Sequence, residues 1–205
     1  MHAMTKEKTL LDYLINNFEK DTIFFTEDCS PCGLPLLDIR LNLSSLVKTG
    51  TVVRLARGIF LWPSHEEYSG HIKMPSVERI AHAIASREHM RIVPSPEQCA
   101  YLVGLTSLQV TPYTWITDGG VRTINLQNGR KIRFVQRDES RIFSIKSQPM
   151  QRLTLGMRAI GKENIGFPEK RAIQAVLAEV SDEDFVDAIW KTIEWVRDLL
   201  VDLRG

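Results

Sequence analysis

The 205-residue sequence is short of several things that would settle its class at once. It has no apolar run near the ~18 residues that a membrane-spanning helix needs, and no charged-then-apolar leader at its start. It has three cysteines, an odd and small number, which argues against a disulfide scaffold and for a reducing compartment such as a microbial cytoplasm. The nucleotide-cradling patterns GxxxxGK[ST] and GxGxxG are missing, as are the zinc-protease HExxH and the hydrolase GxSxG. Neither catalysis nor a cofactor is therefore expected. Cys29-x-x-Cys32 has no second pair to complete a zinc site, Cys99 is remote, and His82 and His89 each stand alone on a helical stretch. The two thiols are expected to pack as small apolar groups. There is no internal repeat and no low-complexity tract.

What is present is an ordinary soluble composition, 43% hydrophobic and 25% charged. The net charge of +1 hides an uneven distribution. Residues 119–158 hold nine Lys/Arg against two acids, whereas residues 163–205 hold ten Asp/Glu against five Lys/Arg. The basic middle invites an anionic partner, or else the two segments neutralise one another in the fold.

The most informative stretch is residues 37–63. At 3.6 residues per turn Ile39, Leu43, Leu46, Val47 and Gly50 share one side of a helix, and Arg40, Leu41, Ser44, Ser45 and Lys48 share the other. Gly50 supplies a left-handed stop. Two β-prone runs follow, Val52 to Leu55 and Ile59 to Trp62, around a turn at Ala56-Arg57-Gly58 that carries Arg57 at its tip with Arg54 behind. A helix followed by a short basic hairpin is the recognition helix and wing of a winged helix-turn-helix. The preceding order fits: a helix over 7–20 with Leu10, Leu11, Leu14, Ile15 and Phe18 inward, a strand over 21–26, and a short helix over 27–32 broken by Gly33 and Pro35. The candidate DNA-binding residues are Arg40, Asn42, Ser44, Ser45, Lys48, Arg54 and Arg57, cations for phosphates beside small hydrogen-bonding groups for base edges.

A polar segment over 64–75 reads as a linker. Beyond it a helix with the stripe Val77, Ile80, Ala81 and Ile84 is expected, then an extended Ile92-Val93-Pro94, then a helix opened by the Ser95-Pro96-Glu97-Gln98 capping box. From 111 to 145 the period becomes two. Tyr113 to Thr117, Val121 to Leu126 and Ile132 to Val135 read as an antiparallel meander turning at Asp118-Gly119-Gly120 and Asn128-Gly129, with Arg141 to Ile145 as a fourth strand. Arg122, Arg130, Lys131, Arg133, Arg137 and Arg141 form a second basic surface on this region. The rest is helical: 151–160, 168–180, and one long helix capped by Ser181 whose stripe runs from Phe185 to Leu203, with Trp190 and Trp195 at its margins, expected to extend the core or else to mark a partner surface. The expected class is α+β, a winged helix-turn-helix over 1–63, a linker over 64–75, and an α/β domain with an antiparallel meander and C-terminal helices over 76–205.

The run Leu46-Val47-Lys48-Thr49-Gly50-Thr51-Val52-Val53-Arg54-Leu55-Ala56-Arg57-Gly58-Ile59-Phe60 resembles the N-terminal domain of AbiEi-type antitoxins from bacterial abortive-infection toxin–antitoxin systems. The Ile80-Ala81 helix, Val93-Pro94-Ser95, Ala100, Gly104-Leu105-Thr106 and Tyr113-x-Trp115-x-Thr117-x-Gly119 before a basic hairpin resemble one branch of that group, as far as about residue 160. The acidic tail lies outside the resemblance. The resemblance implies a transcriptional autorepressor that binds promoter repeats as monomer or homodimer and opposes a nucleotidyltransferase-like toxin, with residues 40–48 and 54–57 carrying the DNA contacts. The alternative is an interaction adaptor whose basic sheet, Arg122, Arg133 and Arg137, holds a protein or RNA partner while the winged helix is structural.

Overall fold

The computed structural model describes residues 2–66 and 70–205, with side chains from Lys6 onward. Part of the linker expected over 64–75, residues 67–69, lies outside the described residues. The chain forms two compact units, one of residues 1–83 with 124–130 and one of residues 84–123 with 131–205. The first therefore runs past Pro63 and takes in a distant turn.

The first unit opens with α1 (His2–Asn17), β1 (Ile23–Phe25) and a 3₁₀ turn over Thr26–Cys32. α2 (Leu36–Lys48), β2 (Val53–Ala56) and β3 (Ile59–Leu61) follow. α2 starts after Pro35, which cannot continue a preceding helix, and ends where Gly50 takes a φ of 75° that a β-carbon would disfavour. The small sheet has the order β1-β3-β2, both pairings antiparallel. Against it α1 and α2 bury Leu10, Leu14, Ile39, Leu43 and Leu46, together with Phe24, Val52, Phe60 and Trp62. Phe24 stacks on Phe60 across the β1–β3 ladder at 5.6 Å between centroids. Ile15, expected inward, is 57% exposed because Leu14 already occupies the core side of that turn. The hairpin turn is one residue tighter than the sequence suggests. Ala56 stays in β2 opposite Ile59, leaving only Arg57 and Gly58 in the loop, and the register slips so that Leu55 bulges.

α3 (Val77–Arg87) begins in the first unit and ends in the second, with Val77, Ile80, Ala81 and Ile84 all buried. In the second unit β4 (Ile92–Pro94) leads into α4 (Pro96–Leu102), whose first turn is capped by the Ser95 hydroxyl accepting from the Gln98 amide at 3.3 Å. Then come β5 (Tyr113–Thr117), β6 (Arg122–Asn125) and β7 (Lys131–Gln136). The sheet order is β4-β5-β7-β6, and β5 pairs with β7 in parallel. A plain meander would set β5 against β6. Here β7 inserts between them, and β4 covers the other edge of β5.

Where a fourth strand is expected over residues 141–145 the chain forms the helix α5 (Ser140–Ser144), which places Ile142 in the core and leaves Arg141 in solvent. α6 (Gln148–Ile160), α7 (Phe167–Ala178), α8 (Asp182–Ile189) and α9 (Glu194–Arg204) complete the chain. The single long terminal helix expected from the stripe is thus two. The break leaves Trp190 74% exposed instead of in the core, while Trp195 packs half-buried against it. At the break the Lys191 ammonium is held by the Ser144 carbonyl at 2.7 Å and by Asp187 at 2.5 Å. The second core is assembled from Val93, Ile116, Met150, Leu153, Ile173, Phe185, Val196 and Leu200, among others. Among the described residues no helix is long and apolar enough to cross a membrane.

Candidate nucleic-acid interface

The outer face of α2 carries Arg40, Leu41 and Lys48 in solvent and Ser44 and Ser45 half-exposed, the arrangement set by the inward turn of Ile39, Leu43 and Leu46. Leu37 and Leu41, at 68% and 60% exposed, add apolar contact area to the same face. Asn42 is a correction. At 9% exposure it is turned toward the core, one turn before Leu46 on the same side of the helix, and is not on the exposed face.

The wing is joined to this helix by a specific contact. Arg54 lies half-buried with its guanidinium 5.6 Å from the centre of the Phe60 ring, and donates to the Ser44 hydroxyl at 3.0 Å. Ser44 in turn donates to the Arg40 carbonyl at 2.9 Å. Its proton and one lone pair are both engaged, so Ser44 orients Arg54 more than it reads a base. The Arg54 Nε is buried with no protein acceptor. Buried donors of that kind are costly unless satisfied.

Arg40, Ser44, Arg54 and Arg57 line one concavity of about 470 Å³ with Thr26, Glu27, Gly58, Phe60 and Gln127. Three guanidinium groups thus border one space with a single carboxylate among them. Arg57 is exposed at the tip, and Gly58, at φ 75°, permits the tight turn that puts it there. Lys48 and Ser45 stand on α2 outside this concavity. Thr26, Phe60 and Gln127 were not legible as site residues, since nothing in sequence spacing brings 26 and 127 beside 54.

The second basic surface is smaller than expected. Lys131 and Arg133 alternate with buried Ile132 and Phe134 along β7 and do stand in solvent, as does Arg130 at the turn before them. Arg122 does not join them. It shares parity with Ile124 and Leu126, so it faces the apolar side, where it is paired with Glu88 at 2.5 Å and lies 5.7 Å from the Phe134 ring centre. Arg137 is exposed in the loop after β7, and Arg141 is exposed on α5 instead of on a strand. The basic segment is partly neutralised by acids: Arg158 grips Glu139 through two hydrogen bonds of 2.8 and 3.1 Å.

The thiols fit a packing role. Cys29 is fully buried in the first core, and burial, with Cys32 and Asp28 nearby, pushes its thiol up to about 12. Such a thiol is neither a ready nucleophile nor a ready metal ligand. Among the described residues no cluster of three or more His, Cys, Asp or Glu is placed to hold a metal ion.

No curated protein matches the chain. A family model described as "Family of unknown function (DUF6088)" matches residues 11–185, across both units, and the chain belongs to that family.

Proposed function

We propose that the chain binds double-stranded DNA through α2 and the β2–β3 wing and acts as a transcriptional repressor. α2 enters the major groove with Arg40 and Lys48 toward it, while Arg54 and Arg57 hold the adjacent backbone. The observation that carries this reading is the shared concavity of Arg40, Arg54 and Arg57, in which one guanidinium keeps a buried donor without a protein acceptor. The likeness of residues 46–60 to the wing of AbiEi-type antitoxins supports the narrower proposal of an antitoxin that represses its own promoter and opposes a neighbouring nucleotidyltransferase-like toxin.

The test is a salt titration of duplex binding. Arg57→Ala is expected to weaken binding to all duplex sequences about equally and to lower the slope of log affinity against log salt by roughly 0.9, the loss of one phosphate contact. Unchanged affinity and slope would remove the wing from the interface. A second reading rests on the exposed Lys131 and Arg133 of β7. There the basic sheet holds a protein or RNA partner, and reversal of those two charges would abolish that association with DNA binding intact.

A further inference from the structure

We propose that the turn between β6 and β7 is a second wing. In this reading Gln127 completes the seat for a backbone phosphate formed with Arg54 and Arg57, and Arg130 makes a further phosphate contact on the same duplex. The proposal rests on the DNA-binding reading above and names a third element of that interface.

Three observations carry it. The first is how the turn is held. Along the wing ladder Arg54 pairs with Phe60 and Ala56 with Ile59, so the bulged Leu55 is skipped by the register. Its carbonyl accepts instead from the Gln127 backbone N–H at 2.9 Å. The bulge of the first wing is thus the anchor point of the second, and Leu126 next to Gln127 is buried. Residues 124–130 accordingly belong to the same compact unit as α2 and the wing.

The second is that the turn is already shaped. Gly129 N donates to the Leu126 carbonyl at 3.1 Å, Leu126 N donates to the Arg130 carbonyl at 2.9 Å, and Gly129 has a φ of 79°. The Asn128 side-chain oxygen accepts from Arg130 N at 3.1 Å. This is a three-residue hairpin loop with glycine in the left-handed position, so little backbone freedom is left to lose on binding.

The third is what the turn presents. Gln127, Asn128 and Arg130 are exposed. Gln127 lines the same concavity as the three arginines, where its amide adds a neutral donor. A phosphodiester has only acceptor oxygens, so a ring of guanidinium and amide donors suits it. Glu27 is the one lining group that would repel it.

The experiment uses the full chain and a mixed-sequence DNA duplex, with fluorescence anisotropy read across a salt series. Arg130→Ala is expected to weaken binding roughly three- to ten-fold and to lower the salt slope by about 0.9, and Arg57→Ala to do the same. Arg130→Lys should keep the wild-type slope. Gln127→Ala should weaken binding with the slope unchanged, because an amide displaces no counterion. If Arg57→Ala weakens binding but Arg130→Ala and Gln127→Ala both match wild type, the second wing is wrong and the DNA reading stands. If the wild-type chain shows no salt-dependent binding, both fall together. All three side chains are exposed, so an unchanged melting curve accompanies each variant.

Discussion

Arg54 links the two parts of the proposed interface, and its environment explains why a lysine would not replace it. The guanidinium donates to Ser44 on one side and lies over Phe60 on the other. A planar fork serves both directions, whereas an ammonium is a compact point charge. Elsewhere charges do quieter work. The Arg91 side chain, hydrogen-bonded to Asp118 at 2.7 Å, holds that carboxyl below the usual range, and the Lys191 ammonium does the same for Asp187. A carboxyl lowered in the folded state contributes stability above its unfolded pKa of about 4, and that contribution is lost as pH falls through the folded value. Thermal melts should therefore fall as pH drops from about 5 toward 2. Asp118→Asn should lower the melting temperature at neutral pH and shrink the acid-induced drop. An unchanged acid profile in that variant would show that the Arg91 contact contributes nothing.

At the scale of elements, legibility followed burial pattern. α2 was readable because Ile39, Leu43 and Leu46 recur at helical spacing and Gly50 marks a stop, and the wing because two β-prone runs surround Arg57-Gly58. Arg122, expected on the second basic surface, has the parity of Ile124 and so falls on the apolar side of β6. The two-residue period was readable, but the partner of each strand was not, since nothing local to β5 says that β7 inserts beside it in parallel. The Arg141 to Ile145 run mixes β-branched and aromatic residues that suit a strand, yet burial of Ile142 and Ile145 is met equally by a short helix. Another unread feature is the close crossing of α4 and α6. A β-carbon at Gly156 would meet the Ala100 backbone at 3.0 Å, so this mid-helix glycine is there for contact. Gly156→Ala should cost about 1–3 kcal/mol in urea unfolding despite its better helix propensity, because the two backbones must part. Equal or greater stability in the variant would contradict that packing.

At the scale of the whole molecule, charge and function separate. The winged-helix segment is neutral in total, seven basic and seven acidic residues over 1–63, yet three of its cations, Arg40, Arg54 and Arg57, border one concavity. The turn at residues 127–130 extends that border with a residue from far along the sequence, which no reading of residues 37–63 alone could supply. The second unit has its own core and its own exposed cations at Lys131 and Arg133, so Arg57→Ala should leave its folding intact.

The most direct test of the central claim is selection from a random duplex library by the full chain, followed by sequencing of the bound pool. Base reading by α2 should enrich one discrete motif, Arg40→Ala on the outer face of α2 should change that motif, and Arg57→Ala at the wing tip should give the same motif at lower yield. A bound pool no different from the input library would contradict base reading by α2.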